Sequence, residues 1–279
     1  MEGVEGWLAM LTIKIEGLEE LKRDLSDIGF KQIPFAAKNA LNSTAKLVNQ
    51  ALQDEINRAV DRPNPATRQA MFVYEYATKA NLRAEVGLRD GVRKSARNSL
   101  GQLAGTQGKG STMPDRYLSA LIDGGTRVSK RYERALQKVG VMPAGMYGVF
   151  AKRSNALDQY GNLSGAKIVQ ILSWFKAFPE QGYRMNRKNT TRLIKGKGMK
   201  WGFAYFRGGR NTGLPDGIWE RHYPNGQAGK SFVRPIILFV GTPSYGKRIR
   251  YFETASETID RVWNIEFDRE FASAMRTAK

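Results

Sequence analysis

The chain has 279 residues, no cysteine, a formal net charge of +19 at pH 7 and a mean hydropathy of −0.47. The lack of cysteine excludes disulfides, cysteine-ligated zinc, iron–sulfur clusters and thiol nucleophiles. The longest apolar run, residues 235–240, is far shorter than the roughly 20 residues that a membrane-spanning helix needs, so we expect no membrane partner. The first ten residues contain two glutamates and no lysine or arginine, which is unlike a secretory signal and predicts synthesis in a cytoplasm.

The net charge is concentrated in the middle of the chain. Residues 91–235 contain 26 Lys and Arg against seven Asp and Glu, whereas residues 1–90 contain 12 against 13 and residues 236–279 contain seven against six. The hydrophobic fraction of 41% and five tryptophans spread along the chain argue against wholesale disorder. This pattern predicts a nearly neutral scaffold that presents a basic insertion to a polyanion.

The N-terminal region predicts a strand, two helices and a hairpin. Alternating apolar residues indicate a strand at 11–15, and a short helix at 18–28 would end at Gly29 as its C-cap. A longer helix is predicted at 34–60, with Pro34 in its first turn. One apolar stripe of this helix comprises Ala37, Leu41, Thr44, Val48, Leu52 and Ile56. Two strands of a hairpin follow at residues 71–76 and 82–88.

The remainder of the chain predicts a loop, short helices, a β-meander and a terminal helix. Residues 91–113 are rich in Gly, Ser, Thr and basic residues, which is typical of a loop or boundary. Helical spacing then occurs at residues 117–122, 132–139 and 165–178. Strand patterns at residues 201–206, 218–223 and 232–240 precede a helix at residues 251–275. The apolar stripe of this last helix comprises Phe252, Ala255, Ile259, Val262, Phe267 and Phe271.

These elements predict an α+β fold in which a small sheet packs with a long N-terminal helix and a C-terminal helix. Residues 1–90 would form the first part of the core, and residues 91–198 would form a basic insertion of helices and loops. Residues 199–279 would complete the core with the β-meander and the terminal helix.

One basic segment is the strongest candidate for a binding surface. Residues 181–215 contain no acidic residue and nine basic ones: Arg184, Arg187, Lys188, Arg192, Lys195, Lys197, Lys200, Arg207 and Arg210. A cluster of this size can bind nucleic-acid phosphates without reading sequence, and such binding weakens as salt rises. Two alternatives remain open, an arm that contacts an acidic partner subunit and a solvated basic face. Nearby Trp201, Phe203 and Tyr205 could stack on bases, but their alternation favours packing in the core of a strand.

No catalytic or metal site is predicted. His222 is the only histidine, and no Gly-x-Ser-x-Gly motif accompanies it, so we assign it a structural role. The acidic residues of the middle region are scattered rather than paired, which disfavours a magnesium-dependent nuclease. The glycine-rich run 105–111 lacks two features of a phosphate-binding loop, because Leu103 replaces the first glycine and Gly110 replaces the residue that binds magnesium. We therefore expect neither a cofactor nor a metal.

Three segments resemble the minor tail protein Z and related tail-completion families of tailed phages. Residues 13–25 read IKIEGLEELKRDL, residues 33–45 read IPFAAKNALNSTA, and residues 234–252 read RPIILFVGTPSYGKRIRYF. Together with the terminal helix they cover about 90 residues at the two neutral ends. The resemblance does not extend to the basic middle of the chain, which is longer than in the compact members of the family.

The resemblance implies a small α/β core that assembles as a homo-oligomeric ring at the head-proximal end of the tail. Its partners would be the connector or adaptor, the tail terminator or tail tube, and genomic DNA held by phosphate contacts. We therefore predict a non-enzymatic virion protein of the tail or neck, made in the host cytoplasm. The alternative is a sequence-independent nucleic-acid-binding or processing protein, such as a phage nuclease or recombination factor.

Overall fold

A computed structural model describes residues 10–14, 27–90, 113–152, 156–178, 194–195, 202–223 and 231–277. The protein has an α+β fold, as predicted, with two antiparallel sheets and long helices near both ends of the chain. The chain divides into two compact units. Unit 1 comprises Met1–Arg127 and Tyr245–Lys279, and unit 2 comprises Val128–Ser244.

Unit 1 is built from a three-stranded sheet and two long helices. Its elements, in chain order, are β1 (Met10–Lys14), α1 (Asp27–Ala59), α2 (Pro65–Arg68), β2 (Met71–Glu75), β3 (Arg83–Leu88), α3 (Asp115–Ile122) and α6 (Tyr251–Thr277). Strand β3 lies between β1 and β2 and is antiparallel to both. Helix α1 packs against the sheet and against α6, and the side chain of Asn39 donates a 3.1 Å hydrogen bond to Glu270 across the two helices.

The predicted stripe of α1 is confirmed. All six of its residues are fully buried, and most of them belong to the apolar core that also contains β1, β2 and β3. The helix begins at Asp27, earlier than expected, so Pro34 lies inside it rather than in its first turn. The prediction that Gly29 ends a short helix is wrong, because α1 continues through it. Residues 15–26, where most of that short helix was predicted, lie outside the described residues.

The predicted stripe of α6 is confirmed in part. Ala255 is fully buried, and the helix covers the predicted range, but the Phe252 side chain is 49% exposed. The residues that α6 buries most deeply are Tyr251, Ala255, Thr258, Glu266 and Ala274. The buried face of α6 therefore contains fewer large apolar side chains than expected. Its small residues Ala255 and Ala274 allow close packing with α1.

Unit 2 is built on a five-stranded antiparallel sheet in the order β4-β8-β7-β6-β5. Its elements are α4 (Arg131–Lys138), β4 (Tyr147–Phe150), α5 (Gly165–Trp174), β5 (Ile194–Lys195), β6 (Gly202–Gly209), β7 (Leu214–Tyr223) and β8 (Phe232–Val240). Strands β6, β7 and β8 form the predicted β-meander, and α5 confirms the predicted helix with an earlier end. Sequence patterns did not predict the short strands β4 and β5.

The observed units differ from the predicted division of the chain. The meander was expected to complete the core with residues 1–90, but it belongs to the same unit as α4 and α5. The physical reason is the apolar core that these elements share, in which the ring centroids of Trp174 on α5 and Tyr205 on β6 lie 6.0 Å apart. Only α6 and the segment before it return to unit 1. Most of the predicted loop 91–113 lies outside the described residues.

Candidate functional site

The structure describes the side chains of only two of the nine predicted basic residues. Lys195 lies in β5, and its side chain is not described. The six that lie outside the described residues are Arg184, Arg187, Lys188, Arg192, Lys197 and Lys200. The prediction that all nine form one surface therefore stays a prediction.

Arg207 and Arg210 lie at the tip of the β6–β7 hairpin, and both are exposed. The Arg207 guanidinium donates hydrogen bonds of 3.0 and 3.2 Å to the two carboxylate oxygens of Asp216. Arg210 lies in a short 3-10 turn, Arg210–Thr212, and forms no ion pair with any described residue. Arg210 is therefore the base at this tip whose charge is available to an anion.

A second group of polar residues lies on one face of the unit 2 sheet. In the strand register Glu220 on β7 pairs with Tyr205 on β6 and with Arg234 on β8. Two residues further along β7, His222 pairs with Phe203 and Phe232. Residues two apart on a strand face the same side of the sheet. The side chains of Tyr205, Glu220 and Arg234 therefore lie next to those of Phe203, His222 and Phe232.

Glu220 is the centre of this group. The residue is 6% exposed, and its Oε2 atom pairs with Nζ of Lys167, which α5 places over the sheet. Its Oε1 atom lies 2.5 Å from Nε2 of His222. The Lys167 ammonium also lies 4.7 Å from the Phe203 ring centroid, within the range of a cation–π interaction. A carboxylate buried this deeply needs such partners, because desolvation disfavours its charged form.

Tyr205 and His222 are held in uncharged forms by this environment. Burial, together with the charge of Glu220, raises the pKa of the Tyr205 hydroxyl far above its ordinary value. This hydroxyl donates a 2.6 Å hydrogen bond to Gln170 on α5. Burial lowers the pKa of His222, and Arg234 and Lys167 act in the same direction while Glu220 opposes them. Near pH 7 the imidazole is therefore mainly neutral.

These residues line a cavity of about 330 Å³. The described residues that line it are Ala156, Ser164, Lys167, Glu220, His222, Arg234 and Ile236. The Arg234 guanidinium lies 4.9 Å from the ring centroid of Phe232, and it forms no ion pair with a carboxylate among the described residues. The His222 imidazole stacks on the same ring, at 4.8 Å between centroids and 6° between planes.

Sequence reasoning missed this site. It treated Glu220 as one of several scattered acids and His222 as structural, and it gave no role to Lys167 or Arg234. The alternation of Glu220 and His222 on a predicted strand was a signal that the two side chains share a face. The register of β8 and the position of α5 could not be read from local patterns. Phe203 and Tyr205 are buried, which confirms the prediction of core packing, whereas Trp201 lies outside the described residues.

Within the described ranges, no group of three or more His, Cys, Asp or Glu side chains is placed to hold a metal ion. Among the same residues, no helix is both long and apolar enough to cross a membrane. Comparisons with protein-family models, with curated proteins and with solved structures give no match.

Proposed function

We propose that the protein is a non-enzymatic structural subunit of a tailed-phage virion, of the tail-completion or neck type. It assembles as a ring around the DNA channel and joins the head connector to the tail. The phage context comes from the resemblance of residues 13–25, 33–45 and 234–252 to tail-completion proteins. Residues 33–45 lie in α1 of unit 1, and residues 234–252 run from β8 of unit 2 to the start of α6 in unit 1. Most of residues 13–25 lie outside the described residues.

The observation that carries this proposal is the division of charge between the two units. Unit 2 contains 20 Lys and Arg against five Asp and Glu, whereas unit 1 contains 25 against 21. A nearly neutral unit is suited to packing against copies of itself, because little charge must be brought together. A strongly basic unit is suited to contact with DNA phosphates, and this contact positions DNA without reading its sequence.

The experiment that tests this proposal is light scattering of the purified protein at low and high salt, with and without a short random-sequence duplex. We expect a ring-sized oligomer and duplex binding that weakens as salt rises. Binding should be lost in a variant in which Arg184, Arg187, Lys188, Arg192 and Lys195 are changed to Glu. The matched control makes the same change in net charge at exposed bases of unit 1, namely Lys46, Arg62, Lys79, Arg261 and Arg276.

Equal loss of binding in the control would show that total charge, not the basic segment, determines binding. A monomer that does not bind the duplex contradicts the ring and the DNA contact together. Mass spectrometry of purified phage particles tests the location of the protein, and its absence from them contradicts a virion role.

A second candidate is a nucleic-acid-processing protein, and the unit 2 cavity is the observation that favours it. His222 and Glu220 are groups that can exchange protons, and Lys167 and Arg234 beside them can stabilise a negatively charged phosphate. Incubation of plasmid DNA and of single-stranded RNA with the protein distinguishes the two functions. Cleavage that disappears in His222→Gln favours the enzyme, and intact nucleic acid favours the structural subunit.

A further inference from the structure

We propose that the unit 2 cavity binds a phosphate group, held by the guanidinium of Arg234 and the ammonium of Lys167. The described residues that line the cavity all belong to unit 2, and their polar groups are two cations, one carboxylate and one imidazole. The ligand is identified by this combination of charge, donors and size.

The charges of the described residues that line the cavity leave an excess of positive charge. Both carboxylate oxygens of Glu220 are directed at protein cations or at the imidazole, Oε2 at Lys167 and Oε1 at His222. Its negative charge is therefore offset within the wall. With His222 neutral, the guanidinium of Arg234 carries the remaining formal charge. No described carboxylate forms an ion pair with this guanidinium, and a bound anion would be its charged partner.

The donors of Arg234 and Lys167 are suited to phosphate. A guanidinium presents a planar fork of N–H groups that matches two oxygens of a phosphate, and an ammonium adds donors from a second direction. Arg234 extends from β8 and Lys167 from α5, so the two groups reach the cavity from different walls. Interaction between unlike charges is stronger in such a partly enclosed site than at an open surface.

The volume of about 330 Å³ is at the lower end of the range for small-molecule cavities. It admits an inorganic phosphate or sulfate, or one phosphate of a nucleic-acid backbone with part of its sugar. The apolar walls, Ala156 and Ile236, allow the non-ionic part of such a ligand to lie against them. A free phosphate ion and a backbone phosphate of nucleic acid offer the same oxygens to these donors. Only binding of the nucleic-acid phosphate rests on the proposed function.

His222 reports on occupancy because it is the only histidine in the chain. Among the described residues, the charged groups that face it are Glu220 on its own strand, Arg234 on β8 and Lys167 on α5. An anion added beside Arg234 and Lys167 stabilises the imidazolium form, so we expect anion binding to raise the pKa of His222. Linkage then requires that the anion binds more tightly as pH falls through that pKa.

The test is an NMR titration of the His222 imidazole in the intact protein, with inorganic phosphate, sulfate and a short single-stranded oligonucleotide added separately. Sulfate keeps a constant charge near neutral pH, so its pH dependence reports the protein alone. We expect a saturable shift with each anion. Arg234→Gln should weaken binding at least about tenfold, as the loss of a charge-assisted hydrogen bond predicts.

The matched control is Arg221→Gln. Arg221 is the residue between Glu220 and His222 on β7, but it is exposed and stacks on Phe206 on the other face of the sheet. We expect it to leave the affinity for phosphate unchanged. A second variant, Ala156→Leu, fills the cavity without altering any charge and should also weaken binding.

Absence of a saturable His222 shift, or unchanged affinity in both Arg234→Gln and Ala156→Leu, overturns the phosphate site. Binding of phosphate and sulfate but not of the oligonucleotide assigns the cavity to a free anion. If His222 responds to phosphate but the protein forms no ring, the phosphate site is supported and the proposed function fails. If the protein forms a ring that binds duplex DNA but His222 does not respond to any anion, the proposed function is supported and the phosphate site fails.

Discussion

Replacing Lys167 with Met removes the ammonium group beside the buried Glu220 carboxylate. The Glu220 side chain is 7% exposed and the Lys167 side chain is 18% exposed, so water from the adjoining cavity replaces the lost partner only in part. Loss of one partner of a buried ion pair costs roughly 3–5 kcal/mol, because an uncompensated charge stays buried. His222 keeps its position 2.5 Å from the other carboxylate oxygen, so we expect about 3 kcal/mol, the lower end of that range.

The double variant Lys167→Met, Glu220→Gln removes both charges and serves as the internal check. Because no charge is then left buried without a partner, we expect most of the lost stability to return, leaving a cost of about 1–2 kcal/mol. The matched control is Arg207→Gln, which breaks an exposed ion pair of the same unit. The Arg207 and Asp216 side chains are 41% and 31% exposed, so this change should cost no more than about 1 kcal/mol.

Amide hydrogen exchange of β7 measures these effects within unit 2. A loss of about 3 kcal/mol corresponds to exchange that is faster by roughly a hundredfold. If Lys167→Met accelerates exchange no more than Arg207→Gln does, burial does not determine the energy of the Lys167–Glu220 pair. A double variant that is as unstable as the single one would equally refute the reasoning.

Three further predictions concern the core of unit 1, the His222 imidazole and the close approach of β7 and β8 at Gly217. Leu52→Ala on the buried face of α1 should lower the free energy of unfolding by about 2–5 kcal/mol, and the exposed Leu47→Ala by less than about 1 kcal/mol, as measured by urea denaturation. The pKa of His222 is lowered in the folded state, so its contribution to stability is complete above about pH 6.5 and is lost as pH falls toward the folded pKa. His222→Gln should therefore reduce the difference between urea midpoints at pH 7.5 and about pH 5.5. Gly217→Ala places a methyl group against the Ile237 carbonyl on β8, and we expect a lower melting temperature by calorimetry.

Much of the fold was predictable because single elements carry strong periodic patterns. The buried stripe of α1, from Ala37 to Ile56, repeats at helical spacing over about five turns. The strands of the meander show alternating apolar residues and are separated by turn residues. The start of α1 was not predictable, since Gly29 is compatible with both a C-cap and a helix interior. Strand β4 is four residues long and is defined mainly by its pairing with β8.

The division into units and the cavity depend on long-range contacts. Strands β6 to β8 pack with α5 rather than with α1, and no local pattern distinguishes these two apolar surfaces. Glu220 and His222 are adjacent on one face by strand periodicity alone, but Arg234 joins them through the β7–β8 register, which includes a bulge between Ile218 and Trp219. A shift of one residue in that register would move Arg234 to the other face of the sheet.

The discontinuity of unit 1 has a consequence for biosynthesis. The chain leaves unit 1 after Arg127 and returns at Tyr245, where its backbone forms two hydrogen bonds of 2.9 and 2.7 Å with Gly125. Helix α1 is therefore translated well before α6, the helix that covers one of its faces, and all of unit 2 emerges from the ribosome between them. Unit 2 can fold during translation, whereas α1 keeps part of its apolar face uncovered until α6 is made. We therefore expect chaperones that recognise exposed apolar surface to bind the nascent chain during this interval.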